Sequence, residues 1–218
     1  MTPASAGKPA QSAASGPVLL FPAISDAGGP APRSFTFQWL KDEEGERRKQ
    51  MQALATQQVR AYIEALARNR ISASPKPQAS RRAPARKTAP PILENVQMIA
   101  YDLWTNNQPV LVFAADAHQA TPPAGTAHAG TDADVQYSIM MVARTDIYNN
   151  LHPLYVGVTD KSHLDVTPRL ELIDAVDADG DGRGELLFRE TSDAGTGWVI
   201  YRATPDKLWK MFDSLNPE

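Results

Sequence analysis

From Ile92 onward the chain is a succession of short apolar runs broken by turn residues, too short for helices and suited to β-strands. Residues 96–103 and 109–114 flank Thr105-Asn106-Asn107-Gln108, a pattern that reads as a hairpin. Val135, Tyr137, Ile139 and Met141 alternate with Gln136 and Ser138. Leu154, Val156 and Val158 recur in the same way, and Leu170 and Leu172 alternate with Arg169 and Glu171. Leu186 with Phe188, and then residues 198–201, bring the count to about seven strands. The fold class this predicts is mainly β: a small antiparallel β-sandwich or a curved sheet. A C-terminal helix should close it. Thr204 suits an N-cap, Pro205 suits the first helical position, and Leu208, Met211, Phe212 and Leu215 fall at helical spacing.

The region before Ile92 differs in composition. Residues 1–34 are rich in Ala, Pro, Gly and Ser and read as a disordered low-complexity tail. Residues 35–71 contain an amphipathic helix. Met51, Ala55, Val59, Tyr62, Ile63 and Leu66 form one stripe, firm over 46–68 because Gly45 weakens the first turns. So narrow a stripe calls for a partner: the β domain, a second copy of the chain through self-association, or another protein. Residues 72–91 read as a basic Pro/Ala-rich linker carrying Lys76, Arg81, Arg82, Arg86 and Lys87. It lacks the interleaved aromatics that stack on bases, so a solvated tether is expected, with no nucleic-acid partner. The β domain then occupies 92–218.

Several classes of chemistry are excluded early. There is no cysteine, hence no disulfide, thiolate metal site or thiol nucleophile. The net charge of −3 does not favour polyanions. No run approaches the roughly 20 apolar residues of a membrane span. Val18-Leu19-Leu20-Phe21 is cut short by Pro22, so no secretory leader is visible either and a cytoplasmic setting stays open. His118, His128, His152 and His163 form no HxH or HxxxH pair that would suit zinc.

The segment that carries chemistry is Asp177-Ala178-Asp179-Gly180-Asp181-Gly182-Arg183-Gly184-Glu185, with carboxylates at its first, third, fifth and ninth positions. Acidic groups this close repel one another unless a cation sits among them. Calcium takes six to eight oxygen ligands in flexible geometry, which suits such a loop better than magnesium with its strict octahedron. The expected metal ligands are Asp177, Asp179, Asp181, the carbonyl of Arg183, and Glu185 brought back to the ion by a reversal at Gly182. An EF-hand would need flanking helices and an acidic twelfth position, which here is Phe188.

The segment resembles the D-x-D-x-D-G-x-x-D/E calcium loop of FG-GAP and VCBS-type repeats, in which the loop joins two β-strands; Glu185 stands where aspartate is commoner. The wider arrangement, from low-complexity tail to the run through Leu186-Leu187-Phe188, resembles an uncharacterised group of predicted exported bacterial proteins. That resemblance implies a periplasmic or extracellular, secreted setting and brings no known activity. The functional expectation is a non-enzymatic, calcium-stabilised β domain acting as a binding or scaffolding module for a protein or carbohydrate ligand. The alternative is a hydrolase-like enzyme with a loop-lined site near Asp160, His163 and Asp165. Trp104, Trp198 and Tyr201 are candidates to line a groove.

Overall fold

A computed structural model describes residues 34–40, 42–72, 90–119, 135–146, 148 and 150–216. All but Ser34 of the expected disordered tail, most of the basic linker and His128 lie outside the described residues. Helix α1 (Glu43–Ser72) is followed by eight strands: β1 (Ile92–Tyr101), β2 (Val110–His118), β3 (Gln136–Thr145), β4 (Leu151–Asp160), β5 (Arg169–Val176), β6 (Glu185–Ser192), β7 (Gly195–Ala203) and β8 (Leu208–Asp213). They form two four-stranded antiparallel sheets, each a simple meander: β1-β2-β3-β4 and β5-β6-β7-β8.

The period of two explains the layering. In β2, Val110 and Val112 enter the core between the sheets, whereas Leu111, Phe113, Ala115 and Ala117 face a second core under α1. In β3, Met140 and Val142 join the first core, and Tyr137, Ile139, Met141 and Ala143 the second. Burial on both faces is why these strands read as nearly continuous apolar runs. Met51, Ala55 and Val59 of α1 have no exposed surface and pack on the first sheet together with Tyr62, Ile63 and Leu66. The helical stripe is therefore covered by the β domain of its own chain. The order of layers is helix, first sheet, second sheet.

Three features depart from the sequence reading. Among the described residues no helix follows the sheets, and the strands number eight rather than about seven: Leu208–Asp213 is β8, paired antiparallel to β7 from Ala203↔Leu208 to Val199↔Asp213. Thr204 and Pro205, the expected cap and first helical residue, make a tight turn instead. The Thr204 N–H donates to the Lys207 carbonyl at 2.9 Å, and the Thr204 hydroxyl donates to the same carbonyl at 2.8 Å. Cap and turn share the same side-chain chemistry. A six-residue helix gains little on its own, while the free edge of β7 offers backbone partners at once. Among the described residues the helix is α1, which precedes the sheets. Finally, Phe35 lies in the core between the sheets, and its carbonyl accepts the Asp102 N–H at 2.8 Å while Phe37 N–H donates to Ala100 at 2.9 Å. Residues 35–37 thus extend the first sheet beside β1. The alternation Phe35, Phe37, Trp39 was the legible sign of this.

Candidate metal centre

The acidic segment is the hairpin loop between β5 and β6, closed by the pair Val176↔Glu185. Strands on both sides exclude an EF-hand. Each carboxylate first organises the loop backbone. Asp177 accepts the N–H of Gly180 at 2.8 Å through Oδ1 and that of Gly182 at 3.0 Å through Oδ2. Asp179 accepts the Asp181 N–H at 3.3 Å, and Asp181 accepts the Arg183 N–H at 2.9 Å. Glu185 Oε2 accepts the Ala178 N–H at 2.9 Å. Gly180 and Gly182 have φ of 78° and 82°, the left-handed conformations that turn the chain back on itself.

These constraints bring one oxygen each of Asp177, Asp179 and Glu185 within 4.8 Å of one another. The two aspartates are exposed and Glu185 is fully buried. This group could hold a metal ion. The structure does not gather Asp181 into it: that side chain lies 3.4 Å from Arg202 Nη2 instead. Arg183 is exposed and enters the loop's hydrogen bonding through its backbone N–H.

The residue that sequence reasoning missed is Arg202. It lies opposite Glu185 in the β6–β7 ladder. Its Nε and Nη2 donate to Glu185 Oε1 at 3.0 and 2.8 Å, and Nη2 donates to Asp179 at 2.5 Å. The hydrogen bond from Arg202 holds the Asp179 carboxyl below its usual range, and those carboxylates push the guanidinium up. Nothing local in the sequence marks this arginine, because only cross-strand register brings it to the loop. Among the described residues the loop carboxylates pair with one guanidinium, that of Arg202, so with every group ionised the four carboxylates of the loop are only partly compensated.

The loop is anchored to the rest of the domain at Gly184. Its N–H donates to the Leu103 carbonyl at 2.8 Å, and a Cβ there would come within 2.8 Å of Leu103 and 3.0 Å of Phe35. Only glycine allows β6 to begin against that part of the core.

The alternative site is partly assembled. His163 Nδ1 lies 2.8 and 2.9 Å from the two oxygens of buried Asp160, which also accepts the Ser162 N–H at 2.7 Å. Tyr62 of α1 donates to Asp160 at 3.4 Å; burial, then the Asp160 charge, push its phenol up to about 12. Asp165 is exposed and makes no bond to this group among the described residues. The cluster fastens α1 to the loop after β4; the Thr159 hydroxyl donates to the His163 backbone carbonyl at 3.2 Å, and among the described residues no hydroxyl is hydrogen-bonded to the His163 ring. His152 pairs with Asp146 at 2.9 Å, and His118 lies 3.9 Å from Glu94. Of the aromatic candidates, Tyr201 is buried in the core, Trp104 is half-buried against it, and Trp198 is exposed.

No protein-family model matches the chain, and no curated protein and no solved structure is significantly similar to it. Fold and site together define an all-β domain of two antiparallel sheets with an acidic hairpin loop able to hold a metal ion. Among the described residues no helix is long and apolar enough to cross a membrane.

Proposed function

We propose that the chain is a non-enzymatic binding or scaffolding module whose β domain is stabilised by a calcium ion in the 177–185 hairpin loop. The observation that carries this reading is the convergence of Asp177, Asp179 and Glu185 within 4.8 Å, in a loop with uncompensated negative charge. An all-oxygen ligand set with no histidine suits a hard cation. Asp181 and the Arg183 carbonyl complete the coordination as the loop adjusts. Glu185 is buried at the start of β6 and Asp177 sits at the end of β5, so an ion shared between them fixes the register of both strands. The resemblance to FG-GAP and VCBS-type loops, and the exported setting it implies, belong to the same proposal. The ligand that such a module holds is a protein or a carbohydrate.

Entry of the ion requires Arg202 to give up Asp179. That competition lowers affinity toward the roughly 10⁻⁴–10⁻³ M range of extracellular calcium modules. Free calcium a hundredfold above the dissociation constant would add about 2.7 kcal/mol of stability by linkage. Thermal melting tests the proposal: EDTA should lower Tm, calcium should restore it, and magnesium should do so poorly. Asp179→Ala should abolish the calcium response. A melting curve indifferent to calcium and EDTA overturns the reading.

A further inference from the structure

A second feature lies on the far side of Arg202. A pocket of about 430 Å³ opens between the β1–β2 loop, the end of β3, the acidic loop and the end of β7. Its walls include Arg144, Arg183 and Arg202, together with Trp104, Asn106 and Gln108, and none of the described residues lining it is acidic. Arg202 is already paired with the acidic loop, whereas Arg144 and Arg183 bring guanidiniums to the cavity with no ion pair among the described residues, and the overall charge of −3 shows that they do not reflect a generally basic chain.

Their remaining bonding capacity is specific. Arg144 Nε donates to the Pro205 carbonyl at 2.7 Å, which fixes the plane of the guanidinium. Its two terminal nitrogens have no bonded partner among the described residues. The Arg183 guanidinium forms no ion pair among them. Arg202 uses Nε and Nη2 on the acidic loop and has Nη1 left over. Trp104 donates its indole N–H to the Ala203 carbonyl at 3.3 Å, so it presents only its ring. Fork-shaped arginine donors match the paired oxygens of carboxylate and phosphate, and a half-buried indole offers a flat apolar wall. The volume lies within the range of small-molecule sites.

We propose that this pocket binds a small organic oxyanion: a carboxylate or phosphate held by Arg144 and Arg183, with Arg202 assisting, on a flat body packed against Trp104. The site does not depend on the cation reading of the neighbouring loop. Titrations of the full chain in EDTA with phenyl phosphate, benzoate and neutral benzamide, followed by calorimetry and tryptophan fluorescence, test it. Saturable binding of at least one anion is expected, with benzamide inert. Phosphate or carboxylate preference identifies which oxyanion the site takes. Arg144→Gln and Arg183→Gln should each weaken binding about tenfold or more, while Lys161→Gln, an exposed charge elsewhere, leaves it unchanged. Melting curves confirm that each variant is folded. Failure of both anions to saturate, equal binding of benzamide, or native affinity in both arginine variants overturns the proposal.

Discussion

Arg202 and Glu185 face each other across the β6–β7 ladder, the guanidinium 2.8 Å from a carboxylate with no exposed surface. The pair places a positive charge at the root of the acidic loop, so the domain carries its own partial counter-ion there. It also separates two sites of opposite character, the carboxylate cluster on one side and the arginine pocket on the other.

Removing that arginine should be costly, because it strands a buried charge. Arg202→Met is expected to destabilise the domain by about 2–4 kcal/mol in EDTA. This is less than the loss of a wholly buried pair, since the Arg202 side chain keeps 21% of its surface. Calcium should recover much of the loss by taking over the role of counter-ion, and should bind the variant more tightly than the native chain. Urea denaturation with EDTA and with calcium reads both effects. A variant as stable as the native protein in EDTA would show that the pair does not support the loop.

A second charge is buried without a full partner. Glu190 Oε2 has no hydrogen bond among the described residues, and Lys210 Nζ is 4.0 Å away. Burial pushes its carboxyl up, Lys210 opposes this, and Asp213 adds to it. The folded value therefore lies above that of the unfolded chain, which is about 4.3. As pH rises past that value the unfolded chain releases its proton first, so Glu190 removes stability toward neutral pH. Glu190→Gln should stabilise the domain at pH 7 by about 1 kcal/mol, with the advantage vanishing below about pH 4. Melting of both proteins across pH decides it, and a difference independent of pH would refute the titration.

The helix contributes through packing. Met51 has no exposed surface under the first sheet, and Met51→Ala should cost about 2–4 kcal/mol. Hydrogen exchange should then quicken in α1 before it does in β6 and β7, which share no core with the helix. Uniform acceleration in every element would mean that helix and sheets unfold only as one unit.

The legible parts were those controlled by near neighbours in sequence. Alternation in residues 135–141 and 154–158 placed β3 and β4, and the four- and three-residue steps through Met51, Ala55, Val59 and Tyr62 marked the buried stripe of α1. The carboxylates of Asp177, Asp179 and Glu185 were identified from spacing alone, and they do converge. What failed, failed where two structures share the same local chemistry. The segment from Thr204 to Phe212 carries both a helical pattern and a turn-plus-strand pattern, and pairing with β7 decided between them. Asp181 is a different case: its carboxylate lies beside Arg202, outside the converging group, and the proposed ion draws it in only as the loop adjusts.

The sequence by itself determined the β character, the position of the acidic hairpin and the buried face of the helix, because each depends on periods of two or of 3.6 residues or on a single loop. The tertiary structure decided which sheet covers that helix, that the last segment is an edge strand, and that Arg202 meets Glu185 while its far side joins Arg144 and Arg183. Arg202 and Glu185 are 17 positions apart and Tyr62 meets Asp160 across 98, and only strand register and the stacking of layers bring such residues together.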